Sequence, residues 1–112
     1  MQSTVLLITN NGIGKASEEL QLMLAAKYFE LLLKHGELPN AICFYTDGVK
    51  LACEGSPVID QLRALEAQGT RLIVCSTCLN YFNLTEKLQV GIVGGMPDII
   101  EAQIKAEKVI TL

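Results

Sequence analysis

Residues 69–82, Gly-Thr-Arg-Leu-Ile-Val-Cys-Ser-Thr-Cys-Leu-Asn-Tyr-Phe, constrain the fold more than any other stretch. Leu72, Ile73 and Val74 form an unbroken apolar run between Arg71 and Cys75. A strand without polar alternation is one covered on both faces, as in a parallel sheet flanked by helices. Ser76 and Thr77 suit a helix N-terminus, so a helix is expected to open at the second cysteine of Cys75-x-x-Cys78. Unpartnered backbone N–H groups and the positive end of the helix dipole gather at such a start. A thiol placed there is expected to lose its proton more easily, and the thiolate is the reactive form. Cys78 is therefore the candidate nucleophile. Cys75, last in a buried strand, reads either as its partner thiol or as a small core side chain.

The rest of the chain alternates in the same way. Residues 4–9 make a buried first strand, broken by Asn10, Asn11, Gly12 and Gly14, types that accept positive φ. A helix over 17–34 ends at Gly36. A second strand over 41–46 is stopped by Asp47-Gly48, and 49–55 is a loop or short helical turn. Ser56-Pro57 marks the capped start of a second helix, with Val58, Ile59, Leu62 and Leu65 on its inner face. Asn83 is expected as a left-handed cap after a short third helix. Residues 90–93 form a brief strand turned by Gly94-Gly95. Pro97 opens a fourth helix with Ile100 and Ile104 facing inward, and 108–112 is the last strand.

This alternation implies one domain over residues 1–112, an α/β fold with a flavodoxin-like open parallel sheet. Five strands in the order 2-1-3-4-5, with helices on both faces, are expected. In that order the winding reverses between strands one and three, and ligands of such sheets bind at the carboxyl ends flanking the reversal. Asn10, Asn11, Gly12 and Gly14 would then lie beside Ser76, Thr77 and Cys78 as an anion-accepting loop. Gly94, Gly95 and Met96, after the fourth strand, are expected at the same edge.

The first helix carries more apolar surface than one sheet can cover. At about 100° per residue, Leu20, Leu22, Leu24, Tyr28, Phe29, Leu31, Leu32 and Leu33 span an arc of roughly 240°. A second copy of the chain, a homo-oligomer, is expected to cover the remainder. The net charge of −3 and the absence of Lys/Arg runs argue against nucleic acid or an acidic membrane as partner. No apolar segment has membrane-spanning length, and the first residues lack the basic start of a secretory signal. A cytoplasmic protein with four reduced cysteines is expected. Cys43 alternates with Ile42 and Phe44 as a core residue, and Cys53 reads as a passive thiol in the loop after the second strand. One Cys-x-x-Cys and a lone His35 give no metal site. No cofactor is expected, since Ser17 stands where a dinucleotide fingerprint needs its third glycine.

Several segments in order, Asn11-Gly-Ile-Gly14, Glu18-Glu-Leu20, Asp47-Gly-Val-Lys-Leu51, Glu54-Gly-Ser56, Cys75-Ser-Thr-Cys-Leu79, Leu88-x-Val-Gly91 and Met96-x-x-Ile99, resemble the DsrE-like sulfur-relay family. The similarity spans nearly the whole chain and is closest to the carboxyl-terminal domain of YedF-type proteins, linked by name to selenium metabolism. It implies a flavodoxin-like sheet, homo-oligomers, and a cysteine that carries sulfane sulfur as a persulfide. The matching position is Cys78. No Cys-Pro-x-Pro motif occurs in these residues, so the resemblance implies a separate sulfur donor or acceptor protein, such as a TusA-like one. Three readings stand at this point: a persulfide carrier using Cys78, a non-catalytic oligomeric binding module, and a thiol–disulfide exchanger using Cys75 and Cys78.

Overall fold

The apolar runs pair as parallel strands in a computed structural model that describes residues 3–112. The strands are β1 (Thr4–Ile8), β2 (Ala41–Phe44), β3 (Arg71–Cys75), β4 (Ile92–Gly94) and β5 (Lys108–Thr111). Between them lie α1 (Glu18–His35), α2 (Ile59–Ala67), α3 (Ser76–Tyr81) and α4 (Met96–Lys105). A 3-10 helix over Thr46–Ala52 follows β2, and a shorter one over Thr85–Lys87 precedes β4. Ile8 pairs with Phe44, Phe44 with Val74, and Cys75 with Gly94, so the strands end together at one edge.

The open parallel α/β sheet is of the flavodoxin-like class, but its order is β4-β3-β2-β1-β5 rather than 2-1-3-4-5. All four strands pairings are parallel. The physical reason for the correction lies in β2 and β4. Ala41, Ile42, Cys43 and Phe44 are buried along the whole of β2, which an edge position could not provide. β4 has three residues, two of them exposed, and takes the edge instead. Three successive crossovers therefore run one way, and the last returns from one edge to the other. Leu6 shares a cleft with Tyr28 and Leu32 of α1, while its neighbour Val5 faces Ala102 of α4. Since successive strand residues point to opposite faces, α1 and α4 cover opposite sides of the sheet.

Local signals place most of the helix ends. The Ser17 hydroxyl accepts the Leu20 N–H at 3.4 Å to cap α1, and Gly36 at φ 89° closes it. Ser56 caps a turn, accepting the Val58 N–H at 3.2 Å, and α2 itself begins at Ile59, later than Ser56-Pro57 suggested. Asn83 takes the expected left-handed conformation, φ 57°. In α4 the expected inner face is wrong by one residue. Ile99 and Ala102 are buried, whereas Ile100 and Ile104 are 46% and 77% exposed. One step along a helix turns a side chain by about 100°, enough to exchange the two stripes.

Phe29, Phe44, Ile42, Leu62, Leu65, Leu72 and Ile73 fill the core, all buried. Of α1, only Ala25 and Phe29 are fully buried. Leu20, Met23, Leu24 and Leu31 remain 44–62% exposed, so this chain alone leaves an apolar helix face uncovered.

Candidate functional site

The site is built where β2 and β3 end side by side. Tyr45 continues β2 by donating its N–H to Ile8 O at 3.1 Å, and the chain then turns sharply into the 3-10 helix. Gly48 lets that helix settle onto the end of β1, because a Cβ there would lie 2.1 Å from Ile8 O. Thr46, at the turn, has φ +50°. A β-branched residue in this region is strained by on the order of 1–3 kcal/mol. Its hydroxyl lies 2.5 Å from Thr9 O and 2.6 Å from Tyr45 O. Its N–H donates to Cys78 Sγ at 3.1 Å.

On the other side, β3 ends at Cys75 and α3 begins at once. Cys75 occupies the N-cap position without a side-chain cap bond, so neither Ser76 nor Thr77 caps the helix. Both are helical residues, Ser76 half-buried and Thr77 exposed. Cys78 follows in the first turn, where the spacing had put it. Cys43, Cys53 and Cys75 are buried free thiols, and Cys78 is half-buried.

The thiol is not acidified as the helix-start argument expected. Burial pushes the Cys78 thiol above the ordinary range, the Thr46 N–H pulls it down, and contact with Cys75 raises it again. α3 has six residues, too short for its dipole to outweigh removal of the sulfur from water. Cys43 is an inert core thiol, pushed up to about 11 by burial, with Arg71 opposing weakly. Cys53 is likewise raised by burial, its sulfur 3.2 Å from Val49 O.

The loop after β1 does not join Cys78 as the expected strand order implied. With β2 between β1 and β3, the reversal of winding no longer falls between the loop and the cysteine turn. The loop is also closed on itself. Gly12 N–H donates to Asn10 O at 2.8 Å, and Asn10 Nδ2 to Gly14 O at 2.6 Å. Ile13 N–H donates to Gln21 O at 3.0 Å, and the Gln21 side chain reaches back to Asn11 O at 3.1 Å. Asn11 lines a cavity of about 340 Å³ with Leu22, Lys50, Cys53, Phe82 and Leu84, and Cys78 does not open onto it. A link from the end of β1 to the sulfur runs through Thr9, Thr46 and Cys78.

At the far side, Gly94 pairs with Cys75, and a Cβ on it would crowd Ile73 Cγ2 at 2.7 Å. The Gly95 N–H is taken by Asp98 Oδ2 at 2.8 Å, and Met96 is 47% exposed on α4. Gly94 thus belongs beside the cysteine pair, whereas Gly95 and Met96 serve the start of α4. Lys50, in the 3-10 helix, bridges Asp47 at 2.8 Å and lies 4.6 Å from the centre of the Phe82 ring. Phe82 in turn donates its N–H to Cys78 O at 3.1 Å, tying the 3-10 helix to the end of α3.

Thr46 is the site residue that sequence reasoning missed. Threonine disfavours positive φ, and nothing in the pattern around it marks an N–H aimed at sulfur. The adjacent Asp47-Gly48 was the one available signal, since it announces a tight turn at the end of β2. Among the described residues no group of His, Cys, Asp and Glu is arranged to hold a metal ion, and no helix is long and apolar enough to cross a membrane.

Three solved structures share this fold over nearly their full length. The ychN protein from E. coli is 24% identical, with a TM-score of 0.69 and complete coverage of both chains. The protein of unknown function MTH1491 from Methanobacterium thermoautotrophicum is 20% identical, with a TM-score of 0.72 and complete coverage of both. The conserved protein of unknown function BT1422 from Bacteroides thetaiotaomicron is 15% identical with a TM-score of 0.69, covering 98% of this chain and 95% of its own. No curated protein sequence matches the chain. The sequence profile of the DsrE/DsrF-like family matches residues 2–112, and the chain therefore belongs to that family.

Proposed function

We propose that the protein is a cysteine-persulfide carrier of a sulfur relay, with Cys78 as the accepting thiol. The observation that carries the reading is the position of Cys78, the one cysteine of four that is not buried, at the sheet edge with an N–H on its sulfur. The Cys78 thiolate attacks the terminal sulfur of a donor persulfide. A bond forms between the two sulfurs, the donor's own S–S bond breaks, and the donor leaves as a thiolate with the electron pair. Transfer onward repeats the exchange: an acceptor thiolate takes the terminal sulfur and Cys78 departs as thiolate. The Thr46 N–H stabilises negative sulfur at both steps, in the manner of an oxyanion-hole donor. Selenium is the alternative cargo, since a selenium anion asks for the same thiol and the same donor.

The contact between Cys75 and Cys78 supports a second step. A Cys75 thiolate attacking Cys78 Sγ would expel the outer sulfur as hydrosulfide and leave a Cys75–Cys78 disulfide. In that step the sulfane sulfur is reduced and the two thiols are oxidised.

The partners belong to the same proposal. A second copy covers α1, whose exposed Leu20, Met23, Leu24 and Leu31 lie between an acidic first turn, Glu18 and Glu19, and a basic last turn, Lys34 and His35. Antiparallel pairing of two such helices sets each acidic start against a basic end. The sulfur donor or acceptor is a separate protein, TusA-like in carrying a Cys-Pro-x-Pro motif. The relay operates in the cytoplasm, where thiols stay reduced.

The test is intact-protein mass spectrometry after incubation with a small persulfide donor. The wild type gains one sulfur atom and passes it to an added thiol, and Cys78→Ser gains none. A Cys78→Ser protein that still loads would end the reading. In sedimentation, Met23→Asp dissociates the oligomer; an unchanged assembly would refute the α1 interface.

A further inference from the structure

The most unusual backbone in the molecule lies at the sulfur. Thr46 and Asn83 are the non-glycine residues with positive φ among those described, and only threonine is β-branched. Asparagine enters this region readily, whereas threonine is held there against its preference. Such outliers persist where surrounding contacts over-determine them, and they cluster where strain serves function.

Three contacts over-determine Thr46. Its hydroxyl reaches Thr9 O at 2.5 Å across the end of β1. The same hydroxyl lies 2.6 Å from Tyr45 O, so its one proton is held between the two carbonyls. Gly48 packs directly against Ile8 O, so the turn cannot relax toward β1. The third contact is the N–H on Cys78 Sγ at 3.1 Å, closer than sulfur contacts need to be.

We infer that Thr46 is the positioning residue of the sulfur site: its hydroxyl, tied to Thr9, locks the left-handed turn that aims its backbone N–H at Cys78. The donor is thus supplied by the turn after β2, not by the helix that carries the cysteine. A side chain in the turn after β2, tied across to the end of β1, sets how readily the Cys78 sulfur bears negative charge. This inference rests on Cys78 as the working thiol.

The experiment measures alkylation of Cys78 by iodoacetamide against pH in the native protein, resolved by peptide. Thr46→Val keeps the shape and loses the hydroxyl, and it is expected to move the midpoint upward and slow the reaction at neutral pH about tenfold. Thr46→Ser, which keeps the hydroxyl, restores the wild-type profile. Thr46→Gly adopts the turn without strain, so it folds at least as stably, yet with the tether gone its midpoint also rises. A folded Thr46→Val or Thr46→Gly with the wild-type midpoint would overturn the inference, as would a Thr46→Ser profile matching Thr46→Val. No persulfide is used. A wild type that refuses sulfur while these midpoints still separate would sink the carrier function and leave the role of Thr46 standing.

Discussion

Two connections leave the same edge of the sheet, and they have opposite characters. The loop after β1, rich in glycine and asparagine, looks built to receive an anion, yet its Gly12 and Ile13 N–H groups and its Asn10, Asn11 and Gly14 carbonyls bond within the loop or to Gln21. The turn after β3 holds no glycine, yet it presents a half-buried sulfur to an N–H from the turn after β2. The difference teaches that an anion site is defined by donors left without internal partners. Glycine content alone does not make one. One connection is structural cement for the start of α1, and the other is where chemistry can happen.

Substitutions should separate the two by what they damage. The largest stability loss is expected at Gly12→Ala, since φ is 129° there and a Cβ would meet the Gln21 backbone at 2.3 Å. Roughly 3 kcal/mol should be lost in urea unfolding, with alkylation of Cys78 in the surviving folded protein unchanged. A Gly12→Ala protein of full stability would break the comparison at its structural end.

The Cys78 thiol sits above its ordinary range, so its thiolate fraction at neutral pH is lower than that of an exposed cysteine. Alkylation should therefore climb about tenfold per pH unit until a midpoint above the usual thiol value. A plateau already reached at neutral pH would show an acidified thiol and would restore the helix-dipole argument. A smaller effect, about 1–2 kcal/mol of stability, is expected for Gln21→Ala, which removes the bonds to Asn11 O and the Ala16 N–H. Smallest of all, Cys78→Ser should change stability by less than about 1 kcal/mol while abolishing sulfur uptake. Loss of uptake through unfolding instead would erase the contrast between the two connections.

Much of this was legible in the residues because it depends on neighbours in sequence. The buried run of β3, the Gly36 stop and the left-handed Asn83 each follow from local chemistry and appear where expected. The uncovered arc of α1 was also legible, since it needs only helical periodicity. What failed depends on contacts between distant segments. Strand order is silent in local pattern, although the unbroken burial of Ala41 to Phe44 against the brevity of β4 held a clue to which strand lies inside. In α4, apolar residues occupy both stripes, Ile99 and Ala102 on one and Met96, Ile100 and Ile104 on the other, so periodicity could not choose. The donor at Thr46 was invisible because it is a backbone N–H, which every residue but proline carries.

The central claim is that the sulfur after β3, held by the turn that follows β2, is the atom that carries cargo. Peptide mapping of the wild-type protein, loaded with a persulfide donor and then blocked by alkylation, tests it most directly. The account predicts one extra sulfur on the peptide bearing Cys78, with Cys43 and Cys53 unmodified until the protein is unfolded. An extra sulfur on Cys53 or Cys75 with Cys78 bare would contradict it.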